Sequence, residues 1–186
     1  MLDAAQILPE RPRPLRRVEY DRLVASGAFD DERIELLHGV LVDMSPNRPE
    51  HANPVERLTM SLAPALVGRA LVRVQLPLIA GDESEPEPDV AVVPPGDYRH
   101  EHPARALLVV EVAVSSLSKD RNVKAPLYAA SGFEEYWIVD VAGHAVEVYR
   151  GAGAAGYASV QILRPGDVAR PAAFPDVEVE VDGLFR

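Results

Sequence analysis

The sequence predicts a single α/β domain built on a mixed central sheet, and three observations lead to this fold class. The chain has 186 residues, a length that suits one domain. Between residues 51 and 140, segments with helical and strand-like spacing of apolar residues follow the order α-β-β-β-α-β. After residue 140 the apolar residues alternate in period two, which predicts C-terminal antiparallel strands extending the sheet.

The N-terminal part precedes this core. Residues 1–16 are rich in proline and poor in large apolar side chains, so a flexible, extended arm is expected there. Residues 17–26 carry spaced apolar positions that stop at Gly27, which predicts a short helix with a glycine cap. Residues 33–44 form two apolar runs around a His-Gly pair, the pattern of a β-hairpin. Residues 17–186 are expected to form one domain.

The core begins with a helix expected over residues 51–68. Pro54 suits its first turn, whereas Pro64 would kink the helix or end it early. Three strand-like runs follow, at 71–79, 89–93 and 106–114. The third run is nearly continuous in apolar character, as in a strand covered on both faces.

A second core helix is expected over 118–131, and a buried strand over 135–140. The alternating tail contains three further strand-like runs, at 145–150, 157–163 and 177–181. We expect turns between them, one in the Gly-Ala segment and one at a Pro-Gly pair. These strands would extend the central sheet.

The composition excludes several classes of function. With 47% hydrophobic and 26% charged residues the chain resembles an ordinary globular protein. No apolar run reaches the roughly 18 residues that a membrane span needs, and the N-terminus lacks the pattern of a secretory leader. Because there is no cysteine, disulfides, thiolate zinc sites and cysteine nucleophiles are excluded. We therefore expect a cytoplasmic protein without a membrane partner.

The charge balance is informative in two ways. The formal net charge of −10 is unfavourable for stand-alone binding of nucleic acid, because phosphate contacts dominate such affinity. Among the 19 basic residues only Lys119 and Lys124 are lysines. Both lie in one six-residue window beside the strongest catalytic candidates.

Three ionisable residues stand out within the α-β-β-β-α-β frame. Asp89 opens the second core strand, Glu111 lies inside the apolar third strand, and Lys124 lies early in the next helix. Carboxylates on adjacent strands lie close enough to share a metal ion, and Mg²⁺ prefers such oxygen ligands. A nearby lysine can orient water and stabilise charge on a phosphate. Taken singly, each has an alternative: a solvated Asp89, an internal ion pair for Glu111, and a surface Lys124.

Several motifs in order resemble the Uma-two family of bacterial endonucleases, within the PD-(D/E)XK nuclease superfamily. The resemblance runs from about residue 18 to the C-terminus. It is carried by RIELLHGVLVDMSP, by His51, by EPEPDVAVV, by LLVVEVAVSS and by DRNVKAPLYAASGFEEYWIVD. It implies a restriction-endonuclease-like fold and metal-dependent hydrolysis of DNA with Mg²⁺ or Mn²⁺.

The resemblance also implies roles for individual residues. Asp89 and Glu111 would bind the metal, Lys124 would be catalytic, and Glu35 would be a further acidic, metal-binding member. His51, Gln75 and Asp120 match auxiliary positions. Asp120 is expected to cap the helix that bears Lys124 or to pair with that lysine, and capping is the favoured role.

One departure and three alternatives remain open. The superfamily's usual E-x-K pattern has alanine, Ala113, at the lysine position, so the lysine is expected from the following helix. The chain could instead be a degenerate binding module, or an enzyme acting on RNA or on a nucleotide. Since many nucleases of this superfamily act as dimers, the resemblance also implies a homodimer.

Other motifs are expected to be structural. Residues 151–156 match G-x-G-x-x-G but lead into a strand, so we expect a hairpin loop rather than a dinucleotide site. His100-Glu101-His102 is expected in a solvated loop, and Ser115-Ser116 in a turn or helix cap. Tyr136-Trp137 is expected in the core.

Overall fold

The computed structural model describes residues 12–44 and 48–186. Most of the expected N-terminal arm, residues 1–11, lies outside the described residues. Residues 12–16 have no regular secondary structure, yet the Leu15 N–H donates to the Gly39 carbonyl at 3.0 Å. This contact holds the end of the arm against the hairpin.

The first helix and the hairpin agree with the sequence pattern. Helix α1 spans Arg17–Ala25, and Gly27 follows it with a φ of +77°. Strands β1 (Ile34–Leu37) and β2 (Val40–Asp43) pair antiparallel as a separate two-stranded sheet. The His-Gly pair between them has positive φ at both residues, which is the backbone that a tight two-residue hairpin turn requires.

Helix α2 spans Pro49–Ala65, so it starts two residues before the expected position. Pro54 consequently lies in the second turn, and its expected first-turn position is wrong. The helix ends at Ala65, one residue after Pro64 and three residues before the expected end at residue 68, so it ends early at Pro64. Leu58 and Leu62 are fully buried and pack the helix on one face of the central sheet.

The central sheet has six strands in the order β3-β4-β5-β6-β7-β8. Neighbouring strands are antiparallel except β5 and β6, which are parallel. The sheet is therefore mixed, and the α-β-β-β-α-β order is confirmed. The strand bounds are Leu71–Val74, Val90–Val93, Leu108–Ala113, Glu135–Asp140, Ala145–Gly153 and Gly156–Leu163.

The helical connection between β5 and β6 is not one regular α-helix. It comprises α3 (Leu117–Lys119), a π-helical stretch (Asp120–Lys124) and α4 (Ala125–Ala130). This segment covers the sheet face opposite to α2, where Tyr128, Tyr136 and Phe133 are buried. Among the helices in the described ranges, none is both long and apolar enough to cross a bilayer.

Two strand predictions are corrected. Strand β3 ends at Val74 rather than continuing to residue 79, because Gln75 adopts a φ of +49° that breaks the extended backbone. The run at 177–181 does not extend the central sheet. Only Val179–Glu180 (β10) forms a strand, and it pairs with β9, Val168–Ala169, in a small separate sheet.

The C-terminal segment instead packs under the sheet. Val177, Val179 and Val181 are buried against the face that α2 also covers, which explains the period-two pattern without a seventh strand. A short 3₁₀ helix, Asp182–Phe185, follows.

The predictions for three other motifs are confirmed. The glycine-rich segment joins β7 and β8 as a hairpin. The His100-Glu101-His102 segment lies in a loop, and Tyr136 and Trp137 are fully buried.

Candidate active site

Three neighbouring strands present a polar row on one face of the sheet. The register that pairs Val90 with Val110 places Asp89, one residue before β4, opposite Glu111 on β5. Gln75 follows β3 at the same level, and its N–H donates to the Asp89 carbonyl at 3.1 Å. The end of β3 thus brings the auxiliary amide of the sequence analysis beside the two acids.

The Asp89 carboxylate is held in a fixed orientation. Its Oδ2 accepts a hydrogen bond from the Val112 N–H at 2.8 Å and lies 3.0 Å from His51 Nε2. The Gln75 side-chain amide donates to Oδ1 at 3.4 Å. His51 lies in the first turn of α2 and contacts this carboxylate from there. The chain thus brings together Asp89 and both of its expected auxiliaries.

Glu111 is buried and bound by groups from the helical segment. Its Oε1 accepts hydrogen bonds from Lys124 Nζ at 2.8 Å and from the Tyr128 hydroxyl at 2.7 Å. Burial raises the pKa of Glu111 to about 8, against the opposing effect of Lys124, and the charge of Asp89 adds to the rise. The carboxylate therefore lies where a further positive charge would be stabilising.

Lys124 is held in its charged form between two acids. Its side chain is 3% exposed, and Nζ lies 3.0 Å from Glu35 Oε2 as well as 2.8 Å from Glu111. Burial would lower the lysine pKa, but the two carboxylates outweigh burial and raise it above its usual value. The helical segment thus supplies a lysine to Glu111, whereas the strand has Ala113 at the usual lysine position.

Glu35 joins the site from the hairpin rather than from the central sheet. Its Oε1 accepts from Lys119 Nζ at 3.2 Å, and its Oε2 accepts from the Glu87 N–H at 3.3 Å in addition to contacting Lys124. None of its side-chain surface is exposed. Both oxygens of the Glu35 carboxylate therefore have a lysine as a partner.

Asp120 does not cap the helix, so the capping expectation is wrong. The helical segment already begins at Leu117, which places Asp120 inside it. Its Oδ2 accepts a hydrogen bond from the Ser116 hydroxyl at 2.6 Å, and the residue is 1% exposed. Burial raises the pKa of Asp120, although Ser116 and Lys124 oppose that rise.

All of these side chains border one cleft of about 330 Å³. The cleft includes every site residue expected from the sequence: Glu35, His51, Gln75, Asp89, Glu111, Asp120 and Lys124. Its charges are unbalanced, since five carboxylates face three lysine or arginine side chains. The carboxylates belong to Glu35, Glu87, Asp89, Glu111 and Asp120, and the cations to Arg48, Lys119 and Lys124.

Sequence reasoning missed several members of the site. Lys119 was noticed only for its proximity to Lys124 along the chain, and that proximity was the one available signal. Tyr128 had no signal, because a tyrosine in a helix is usually a core residue. Glu87 contributes its backbone N–H, which no residue pattern reveals.

The donor set fits a divalent cation such as Mg²⁺ through two carboxylates. No group of three or more histidine, aspartate or glutamate side chains in the described ranges is arranged to hold a metal by itself. Mg²⁺ is commonly bound by only one or two carboxylates, with water and substrate phosphate as its other ligands. Asp89 and Glu111 supply such a pair, and the hydrogen bonds of Glu111 all reach Oε1, which leaves Oε2 for a cation.

The mixed six-stranded sheet with its α-β-β-β-α-β core is a restriction-endonuclease-like α/β fold. The fold is shared with a solved structure from Anabaena variabilis, described as a "putative nuclease belonging to DUF820". The two superpose with a TM-score of 0.70 over 92% of this chain and 98% of the other, at 17% sequence identity. This likeness concerns the fold.

Sequence comparison gives the family. The model of the family described as "Uma2: Putative restriction endonuclease" matches residues 17–182. The chain belongs to the Uma2 family. No curated protein sequence gives a significant match.

Proposed function

We propose that this protein is a divalent-metal-dependent endonuclease that hydrolyses DNA phosphodiester bonds. The observation that carries the proposal is the facing pair of Asp89 and Glu111 with Lys124 Nζ 2.8 Å from Glu111, all within one cleft. Membership of a family described as restriction endonucleases supports the nuclease class.

The negative surplus in the cleft supports the requirement for a metal. Five carboxylates against three lysine or arginine side chains would repel a phosphodiester. A bound Mg²⁺ or Mn²⁺ ion would reverse this local field, polarise the phosphate and lower the pKa of a bound water molecule. In this proposal Asp89 and Glu111 hold the cation, and Glu35 completes or tunes the site.

The other side chains would orient the reacting groups. Lys124 carries a fixed positive charge that can stabilise charge developing on the phosphate oxygens and help to orient the attacking water. His51 and Gln75 contact the Asp89 carboxylate and would hold it in position. The Tyr128 hydroxyl does the same for Glu111.

Cleavage of supercoiled plasmid with Mg²⁺ or Mn²⁺ tests the proposal. Wild type should nick the plasmid, and chelation, Asp89→Asn and Lys124→Met should each abolish nicking. Asp97→Ala is the matched control, because this acid lies in an exposed loop and Arg99 is its one ion-pair partner among the residues that the structure describes. The assay is run at a temperature at which circular dichroism shows every variant folded.

The outcomes separate the alternatives. Nicking that survives both site substitutions would refute the site assignment. Cleavage of RNA but not of DNA would favour the ribonuclease alternative. Metal binding that depends on Asp89, without cleavage of either polymer, would favour a degenerate module that binds without hydrolysis.

Two further parts of the proposal concern the protein as a whole. We expect a homodimer, which light scattering during size-exclusion chromatography would detect as twice the 20.2 kDa chain mass. We expect it to act in the cytoplasm, which fractionation of the source cells would test.

A further inference from the structure

We propose that Glu35 is a positioning residue for two lysines rather than a metal ligand, and that Lys119 is a second phosphate-binding residue of the cleft. This inference rests on the proposed function, since it assigns the phosphate to a nucleic-acid substrate. It follows from the contacts of Glu35, from the unequal exposure of the lysines, and from the π-helical stretch between them.

The first argument is the occupation of the Glu35 carboxylate. Lys119 contacts one oxygen at 3.2 Å, while Lys124 and the Glu87 N–H contact the other at 3.0 and 3.3 Å. The side chain has no exposed surface, and both of its oxygens have partners within the protein. A buried carboxylate is tolerated when cations and N–H groups satisfy it in this way. Glu35 is therefore already satisfied by the protein.

The second argument is the difference between the two lysines. Lys124 is 3% exposed and is shared between Glu35 and Glu111, so its charge is largely neutralised. Lys119 is 35% exposed and has the single described partner Glu35. An ammonium group carries three N–H donors, so Lys119 keeps donors for a phosphate that enters from solvent.

The third argument is the local helix geometry. On a regular α-helix, residues five apart lie about 140° apart around the axis and point to different sides. The stretch Asp120–Lys124 is π-helical, and the Ala125 N–H donates to the Asp120 carbonyl five residues back. A π-turn holds more residues per turn, so residues five apart lie closer to the same side than on an α-helix, and such turns are frequent at functional sites. This geometry lets Lys119 and Lys124 reach the same carboxylate.

The arrangement has a consequence for substrate binding. Glu35 holds Lys119 at the border of the cleft, on the same side as the buried Lys124. A nucleic-acid phosphate beside the cleft would meet Lys119, while the scissile group would lie nearer to Asp89 and Glu111. Lys119 would then add affinity for the backbone without reading the base sequence.

Two binding measurements test the proposal, and neither requires cleavage. Mn²⁺ affinity is followed by electron paramagnetic resonance in wild type, Glu35→Gln and Asp89→Asn. The expected result is a change of less than about threefold for Glu35→Gln and a loss of tenfold or more for Asp89→Asn. A loss in Glu35→Gln as large as that in Asp89→Asn would make Glu35 a metal ligand and overturn the proposal.

The second measurement is fluorescence anisotropy of a labelled DNA duplex at several salt concentrations. Lys119→Ala should weaken binding and reduce the slope of log Kd against log salt by about one, as expected for one lost phosphate contact, and Lys119→Arg should restore most of it. Arg121→Ala is the control, because Arg121 is comparably exposed on the same segment but pairs with Glu147 outside the cleft. An equal slope in wild type and Lys119→Ala would overturn the proposal, as would a wild type that binds no nucleic acid.

Failure of the proposed function would look different. A protein that binds Mn²⁺ and DNA as described but cleaves nothing would refute the nuclease assignment and leave the roles of Glu35 and Lys119 supported.

Discussion

Removing the Lys124 ammonium group should destabilise the protein strongly. Lys124→Met keeps the hydrocarbon volume of the side chain. Glu111, which is 5% exposed, loses its ammonium partner, and Lys119 becomes the one ammonium partner of Glu35 among the described residues. Breaking a buried pair by removing one partner costs about 3–5 kcal/mol, because the remaining carboxyl group must either stay desolvated as a charge or take up a proton. For a chain of this size that cost corresponds to a fall in Tm of about 6–20 °C.

The assay is thermal and urea unfolding of purified variants in metal-free buffer. Lys119→Met is the matched control, because its ammonium group is 35% exposed and its loss leaves Glu35 paired with Lys124. It should cost no more than about 1 kcal/mol. The double variant Glu111→Gln, Lys124→Met should recover a large part of the lost stability, since it removes the uncompensated charge. The electrostatic reasoning fails if Lys124→Met is as stable as Lys119→Met, or if the double variant is the least stable protein.

Three further predictions concern pH, backbone conformation and metal. Burial raises the pKa of Glu85 to about 7, so the contribution of this side chain to stability is fully present below about pH 4.5 and is lost as the pH rises through 7. In urea unfolding, the stability of Glu85→Gln relative to wild type should therefore increase by up to about 3 kcal/mol between pH 5 and pH 8. A difference that does not change with pH would contradict this prediction. Gly39→Ala should lower Tm more than Gly68→Ala. Both glycines have positive φ, but a Cβ at Gly39 would overlap Pro14, whereas a Cβ at Gly68 would meet nothing. Equal losses of Tm would show that the overlap with Pro14 relaxes at no cost. Mn²⁺ at 100 times its Kd should stabilise wild type by about 2.7 kcal/mol and should stabilise Asp89→Asn much less. Equal metal-dependent shifts in Tm for the two proteins would mean that the cation binds at another site.

Much of the fold could be predicted from the local pattern of apolar residues. Strands β4 to β7 were found because their side chains are apolar on the faces they bury, and that spacing is a property of the chain itself. The same pattern could not identify the pairing partner of the run at 177–181. Burial of one side produces period two in any sheet, so the pairing of β10 with β9 depended on tertiary packing.

The acids of the candidate site were also visible in the sequence. Glu111 stands out because a charge within an apolar strand is costly, and Asp89 because it opens a buried strand. Their facing position follows from the pairing of β4 with β5, and strands that follow each other in the chain commonly pair. The resemblance to a nuclease family added Glu35, His51 and Gln75, which composition and spacing alone do not select.

Only the tertiary structure determined which carboxylates the two lysines contact. Lys119 and Lys124 converge on Glu35, which lies 84 residues before Lys119, and no local pattern encodes a contact at that separation. The π-helical stretch that aligns them departs from α-helical spacing, which the sequence analysis assumed. The sequence by itself therefore determined the sheet and the acids on it, because both depend on burial along single strands. The positions of the cations depended on packing the hairpin and the helical segment over that sheet.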